Sequence, residues 1–169
     1  MASIASREKL TLAERRRIAH NCFACGADNP SGMHLEMRVE DGQALVDFRP
    51  SEVYQGFPGA MHGGILATIL DEVMAWAIYA AGSWAVTAKM EIRYRDPGPL
   101  EGTLHGVGQV TRDRGGKTFE AEGRITADDG RIIAEATGLF MRVPVEKMRE
   151  LEGFARAYAE DKRTAEPDR

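Results

Sequence analysis

The residues best suited to chemistry lie at the start and in the middle of one apolar stretch. His62-Gly63-Gly64 opens this stretch, and Asp71 and Glu72 interrupt it. Glycines at a helix N-terminus leave backbone N–H groups without an intrahelical acceptor, which favours binding of an anion or a developing oxyanion. About two and a half turns later, a carboxylate could act as a general base or as a nucleophile.

The element that must position these groups is a helix. Residues 65–81 are apolar or neutral on every face apart from the two acids, which predicts a helix that is buried all round. A membrane span is disfavoured, because the stretch is at the lower length limit and two adjacent acids lie at its centre. The alternative is a core helix whose two acids lie at a seam, its boundary with another part of the protein, and are structural. The glycines after His62 favour a functional acid instead.

Two cysteines, Cys22 and Cys25, form a C-x-x-C pair in a loop rich in Gly, Asn and Pro. A redox motif would follow a strand and precede a helix, whereas here a predicted helix comes first. His20 and His34 could complete the four ligands of a zinc site, but their spacing fits no familiar pattern. The pattern therefore favours free thiols in a packed loop and no metal.

Composition limits the class of protein. The chain has 169 residues, of which 43% are hydrophobic and 28% charged, and this predicts one folded domain over residues 1–169. The formal net charge of −4 gives no basic signal for nucleic acid or for an anionic membrane. Residues 1–12 lack an apolar signal-peptide core, so we expect a cytoplasmic location.

Local patterns predict the remaining elements. A capping box at Thr11 opens a short helix to His20, after a leader, and residues 145–169 form a C-terminal helix and tail. Strands are expected over 33–40, 43–49, 86–95, 102–111, 118–127 and 131–143. The first two form a hairpin at Asp41-Gly42. Strand 86–95 alternates strictly and places Thr87 on its polar face. Short connections imply that consecutive strands are neighbours, and the all-apolar helix implies a sheet curved around it.

These features resemble a known family. An α+β domain with a curved antiparallel sheet around one long helix is similar to the hotdog fold. His62-Gly63-Gly64, with Asp71 nine residues after the histidine, resembles the PaaI-like acyl-CoA thioesterases. Further similar stretches are Asn21 to Gly26 with Asn29-Pro30-x-Gly32, Val86-Thr87-Ala88 with Tyr94 and Pro97-x-Pro99-Leu100, and the turn Gly115-Gly116-Lys117. The resemblance covers about residues 20–143.

The resemblance implies hydrolysis of an acyl-CoA thioester, with no cofactor other than the coenzyme A of the substrate. It assigns Asp71 as general base or nucleophile, the backbone N–H of Gly63 as oxyanion donor, and Thr87 as a further catalytic residue. In this family the active site lies at a dimer interface, so Asp71 and Thr87 are expected from different chains. The expected assembly is a homodimer or a dimer of dimers.

Several other residues are candidates for a role at the site, and most of them also have a purely structural alternative. Glu72 points about 100° away from Asp71, so it is expected at the seam, where an arginine could pair with it. His62 could donate a proton, position the substrate, or serve only the turn. Gly64, Arg114 and Lys117 are candidates for contacts with coenzyme A. Tyr54 and Phe57 could line a pocket or plug the sheet edge.

Two other functions are also compatible with the sequence. A hotdog hydratase or dehydratase would pair a loop histidine with an acid further along the helix than Asp71 is. A non-catalytic acyl-CoA-binding protein would not need Asp71 and Gly63.

Overall fold

The computed structural model describes residues 21–144, 146–147 and 150. Within them, helix α1 spans Gly63–Ala80, and a short 3-10 helix covers Glu52–Tyr54. The strands are β1 (Arg38–Glu40), β2 (Gln43–Phe48), β3 (Ala85–Tyr94), β4 (Leu104–Arg114), β5 (Thr118–Ala127) and β6 (Ile132–Arg142). The helix predicted over 11–20 and most of the predicted C-terminal helix lie outside the described residues.

The six strands form one antiparallel sheet in the order β1-β2-β4-β5-β6-β3. The expectation that consecutive strands are neighbours holds for β4, β5 and β6, but it is wrong for β3, which pairs with β6 at the far edge. The connection from β3 to β4 contains Pro97 and Pro99 and passes the start of α1, where Met61 N–H donates to the Gly98 carbonyl. It is therefore a crossing connection, and β4 pairs with β2 instead.

The first predicted strand is much shorter than expected. Residues 33–37 are outside the sheet, and β1 has only three residues. The backbone N–H groups of Met33 and Leu35 donate to the carbonyls of Phe23 and Ala24, at 2.8 Å each. Between them His34 has a φ of 52°, which interrupts an extended strand. This segment therefore holds the cysteine loop in place, and the predicted hairpin turn at Asp41-Gly42 follows with both φ angles positive.

Helix α1 packs its long apolar side against the inner face of the sheet. The residues of α1 that are at least 98% buried are Leu66, Ile69, Leu70, Val73, Met74, Ala77 and Ile78. The backbone approaches closely at Gly108, where a Cβ atom would lie 2.3 Å from the Val73 carbonyl oxygen. By length and hydropathy alone α1 could also cross a membrane, but its contacts are those of a core helix. One helix against a curved antiparallel sheet is the hotdog fold, as predicted.

The other side of α1 is only half-buried within this chain, so the prediction of a helix buried all round is wrong for the single chain. Thr68, Asp71, Glu72, Ala75 and Trp76 share this half-buried side. A sheet that curves around one side of a helix covers only that side, and the opposite side meets the cysteine loop and solvent.

Strand β3 contains a β-bulge that changes the direction of Thr87. The pairing with β6 shifts between Thr87 and Lys89, so the strict alternation predicted from the sequence breaks there. Thr87 lies opposite Phe140, which is fully buried, whereas Val86 is 58% exposed. The prediction that Thr87 lies on the polar face is therefore wrong, because one extra residue moves all side chains before the bulge to the other face.

Candidate active site

The N-terminus of α1 is held by His62, the N-cap residue. Its Nδ1 atom accepts a hydrogen bond from the Gly64 N–H at 3.0 Å, and its carbonyl accepts from the N–H groups of Ile65 and Leu66. Of the first four N–H groups of the helix, the one without an acceptor among residues 21–144 is that of Gly63. This leaves the Gly63 N–H for an external acceptor, whereas the Gly64 N–H is already engaged.

Tyr94 anchors the same turn from β3. Its hydroxyl donates to the Gly63 carbonyl at 2.9 Å, and a Cβ atom on Gly63 would lie 3.4 Å from the Tyr94 ring. The tyrosine therefore fixes the peptide that carries the candidate oxyanion donor. In the sequence Tyr94 stands out only as part of the family motif, because its contact with Gly63 joins residues 31 positions apart.

Asp71 meets Thr87 in the middle of α1. The Thr87 hydroxyl donates to Asp71 Oδ1 at 2.6 Å, a short bond of the kind made to a charged acceptor. The β3 bulge makes this contact possible, because it points Thr87 towards the helix. The hydroxyl occupies one carboxylate oxygen and fixes the orientation of the other.

Both partners of this bond belong to the same chain. The expectation that Thr87 must reach Asp71 from a partner subunit is therefore wrong for this contact. It rested on a strict two-residue alternation along β3, which the bulge interrupts.

The Gly63 N–H and the Asp71 carboxylate, in contrast, are far apart within one chain. They are eight residues apart on the same helix, and a rise of 1.5 Å per residue separates them by about 12 Å along the axis. A thioester carbon must lie about 3 Å from both the attacking atom and the oxyanion donor. One copy of α1 therefore cannot supply both groups to the same site.

Glu72 points to the cysteine loop. Its Oε1 accepts a hydrogen bond from Trp76 Nε1 at 2.9 Å, and its carboxylate lies with the sulfur atoms of Cys22 and Cys25 within 4.8 Å of one another. The expected arginine partner is wrong for the described residues, because the side chains around Glu72 are two thiols and an indole. Among the described residues, the third member of the cysteine cluster is an acid from the helix. His34 Nδ1 lies instead 2.9 Å from the Gly26 carbonyl oxygen, and His20 lies outside the described residues.

The surroundings of this cluster alter its protonation. Burial is the main cause that raises the pKa of Glu72 to about 7, and the nearby Cys22 and Asp71 add to it. A hydrogen bond with Cys25 lowers the pKa of Cys22 to about 5, whereas the same bond and burial raise the pKa of Cys25. Of the two thiols, Cys22 is therefore the more acidic.

Two of the candidate coenzyme A residues lie where β4 ends: Arg114 is the last residue of β4, and Lys117 follows in the turn before β5. Phe119 in β5, Phe140 in β6 and Thr87 in β3 lie opposite one another in adjacent strands. Lys117 is two residues from Phe119, which places the turn roughly 12 Å from Thr87 at the same end of the sheet. Lys117 is exposed, while the Arg114 guanidinium donates to Glu120 at 2.6 Å. Lys117 is thus the more available cation.

Tyr54 and Phe57 are placed differently from each other. Tyr54 is half-buried and packs edge-to-face on Phe48, with ring centroids 5.2 Å apart, whereas Phe57 is 77% exposed. Tyr54 lines a surface cleft of about 600 Å³ that also includes His105 and Asp47. Asp71 and Thr87 do not line this cleft, so within one chain Tyr54 is not brought together with them.

The sequence around this site is similar to that of known thioesterases. Residues 58–134 match the Thioesterase superfamily. The acyl-coenzyme A thioesterase THEM4 of Bos taurus is 31% identical over 139 residues, which cover 80% of this chain and 57% of the relative. THEM4 of Xenopus laevis is 33% identical over 57% of this chain and 43% of the relative. The chain thus spans about half the length of the curated relatives it matches.

Solved structures agree on the fold. A thioesterase superfamily protein is 30% identical with a TM-score of 0.65, over 69% of this chain and 60% of that one. A hypothetical thioesterase of Streptococcus pneumoniae, solved with coenzyme A, is 25% identical with a TM-score of 0.61, over 64% of this chain and 85% of that one. The PaaI protein of E. coli, at 23% identity and a TM-score of 0.62 over 66% of this chain and 81% of that one, has the same fold.

Proposed function

The hotdog domain of this chain belongs to the thioesterase superfamily, and on that premise we propose that it hydrolyses acyl-CoA thioesters to the free acid and coenzyme A. The observation that carries the proposal is the hydrogen bond from Thr87 to Asp71, on the half-buried side of a helix that begins with His62-Gly63-Gly64. It places an oriented carboxylate where a substrate could reach it.

In the proposed reaction, Asp71 acts as the general base. Its free oxygen takes a proton from a water molecule, whose oxygen attacks the thioester carbonyl carbon. The negative charge that develops on the carbonyl oxygen is stabilised by the Gly63 N–H at the positive end of α1. The carbon–sulfur bond then breaks, and the proton passes to the coenzyme A thiolate. Thr87 is a positioning residue, because it acts through Asp71.

Asp71 could instead attack the carbonyl carbon directly, giving a mixed anhydride that water then hydrolyses. The two routes differ in a single turnover in ¹⁸O-water with enzyme in excess. General-base catalysis places the label in the acid product at once. In the nucleophilic route, water attack at the aspartyl carbon places the label in Asp71, and attack at the acyl carbon would return labelled acid.

The complete site requires two copies of the chain. Asp71 and Gly63 are about 12 Å apart on one helix, so we propose that Asp71 of one chain works with Gly63 of another. Two observations support an interface here: the acid-bearing side of α1 is half-buried, and the edge strand β3 and its neighbour β6 expose Val86, Leu139 and Met141. The proposed assembly is a homodimer or a dimer of dimers.

The first test is release of free thiol from a panel of short, long and aromatic acyl-CoA substrates. Release by the wild type that is lost in Asp71→Ala, with the fold intact by circular dichroism, would support the proposal. An enoyl-CoA in the same panel distinguishes a hydratase. Absence of release with every substrate, from folded protein, would contradict the proposed hydrolysis.

A complementation experiment tests the two-chain site. Gly63→Pro removes the proposed donor, and proline is favoured at the first helical position after an extended residue such as His62. Asp71→Asn and Gly63→Pro chains carry different affinity tags, and the mixed dimer is isolated. We expect about half the wild-type rate, because one of two symmetric sites is intact. An inactive mixed dimer would contradict the shared site, and Gly63→Ala controls for added bulk.

Three further expectations remain proposals. Lys117, with Arg114, contacts the coenzyme A phosphates, and Tyr54 and Phe57 contact the substrate, with these residues brought to the site by the partner chain. His62 and Gly64 set the geometry of the Gly63 peptide. The protein acts in the cytoplasm without a catalytic cofactor.

A further inference from the structure

The cysteine loop and the central helix bring three possible metal ligands together. The Sγ atoms of Cys22 and Cys25 and a carboxylate oxygen of Glu72 all lie within 4.8 Å of one another, and all three side chains are half-buried. Ligand atoms about 2.3 Å from a tetrahedral ion lie about 3.8 Å apart. Small side-chain rotations would therefore bring the three groups to ligand distances.

The loop is already folded in a form suited to metal binding. Gly26 N–H donates to the Cys22 carbonyl at 2.9 Å, which closes the turn that brings the two cysteines together. Backbone hydrogen bonds from Ala24 and Cys25 lower the pKa of the Cys22 thiol. Such donors stabilise the thiolate, which is the form that binds a metal.

The carboxylate is oriented from its own helix. Trp76 Nε1 holds Glu72 Oε1 at 2.9 Å and so restricts the carboxylate to the side of the loop. Orientation of a ligand by a second hydrogen bond is typical of metal sites in proteins.

We propose that Cys22, Cys25 and Glu72 form a zinc site that ties the cysteine loop to the central helix. Two thiolates and one carboxylate suit Zn²⁺, and the fourth position of the tetrahedron is left for water or another ligand. This departs from the sequence-based expectation of free thiols without a metal. The site is independent of the proposed hydrolysis, because Asp71 and Glu72 face different partners.

The test uses the whole 169-residue chain, reduced and freed of metal by a chelator under nitrogen. Zn²⁺ is titrated in competition with a chromogenic chelator, and Co²⁺ is titrated separately. We expect one equivalent per chain, with a thiolate-to-cobalt charge-transfer band in the near ultraviolet. Zn²⁺ should also protect both thiols from modification by a disulfide reagent.

Three variants identify the ligands. Cys22→Ser, Cys25→Ser and Glu72→Gln should each weaken Zn²⁺ binding by more than about 100-fold, since loss of an outer-shell partner alone costs 10- to 100-fold. Glu72→Gln keeps an acceptor for Trp76 and preserves shape, so it tests the site even if a cysteine variant does not fold. Glu101→Gln, an exposed loop acid, is the matched control and should bind as the wild type.

Two results would overturn the proposal. One is an unchanged Zn²⁺ affinity in Glu72→Gln, which would remove the helix from the site. The other is equally fast modification of the two thiols with and without Zn²⁺, which would leave a dithiol that binds no metal. Neither result would affect the Asp71→Ala assay, so the two proposals fail separately.

Discussion

Asp71 and Glu72 are adjacent acids in one helix, yet they occupy two different regions of the molecule. Asp71 faces β3 and accepts a 2.6 Å hydrogen bond from a threonine hydroxyl. Glu72 faces the cysteine loop, where it meets an indole N–H and two sulfur atoms, and burial raises its pKa. Successive helical positions point about 100° apart, so neighbours in sequence reach separate partners.

The comparison shows that the partner of a carboxylate sets its chemistry. A single hydroxyl orients Asp71 and leaves its second oxygen for a water molecule, which suits proton transfer. A set of thiols around Glu72 suits a soft cation.

Replacing Asp71 by its amide should reduce hydrolysis much more than the same replacement at Glu72. Asp71→Asn keeps an acceptor for Thr87 but removes the base, so kcat should fall by about 10²- to 10⁴-fold. Glu72→Gln should reduce kcat by less than about 10-fold, through looser packing of the loop. Steady-state thiol release from the best acyl-CoA of the panel measures both. Similar losses in the two variants would remove the functional distinction between the acids.

Removing the Thr87 hydroxyl should lower the rate by an intermediate amount. A hydrogen bond to a charged group contributes about 1.5–3 kcal/mol, so Thr87→Ala and the isosteric Thr87→Val should lower kcat by about 10- to 100-fold. Thr87→Ser restores the hydroxyl and should recover most of the rate. Full activity of Thr87→Val would show that the hydroxyl does not position Asp71.

Loss of the Tyr94 hydroxyl should have a smaller effect. Tyr94→Phe keeps the ring against Gly63 but removes the hydrogen bond to its carbonyl. Because a neutral hydrogen bond contributes about 1 kcal/mol, kcat/KM should fall by at most about fivefold. A loss as large as that of Asp71→Asn would mean that Tyr94 contacts the reacting atoms.

The smallest expected effect is on stability, at His105, which lies between Asp47 and Asp128 near the surface. Hydrogen bonds to Asp47 and then Asp128 raise the pKa of His105, so its stabilising contribution is complete below about pH 6.5 and is lost as the pH rises through the raised pKa. His105→Gln should therefore reduce the free energy of unfolding more at about pH 5.5 than at about pH 8.5, and by less than about 1 kcal/mol because the site is exposed. Urea unfolding at both values measures the difference. An equal effect at both values would rule out a charged His105.

Much of the fold follows from local patterns. The hairpin at Asp41-Gly42 has both φ angles positive, and β5 has the predicted bounds, Thr118–Ala127. The helix begins at the predicted glycines and ends two residues before Gly82, whose φ is 86°. These features depend on residues near one another in the chain, so turn chemistry and periodicity are sufficient to predict them.

Predictions that depended on contacts between residues far apart in sequence were less successful. The neighbours of β3 and the direction of Thr87 were wrong, because a connection that crosses the sheet and a one-residue bulge leave no clear pattern in the sequence. The cysteine cluster was incomplete for the same reason. Among the described residues, Glu72 joins Cys22 and Cys25 across about 50 residues, a separation that local spacing rules for metal ligands do not cover.

The sequence by itself determined the apolar helix, its His62-Gly63-Gly64 start and the position of Asp71, because residue type and spacing along one helix are local properties. Only the tertiary structure decided which groups meet. It brought Thr87 to Asp71 within one chain, and it brought the cysteine loop to Glu72. The separation of about 12 Å between Gly63 and Asp71, in contrast, already follows from their spacing in sequence, since a rigid helix keeps residues eight positions apart at a set distance.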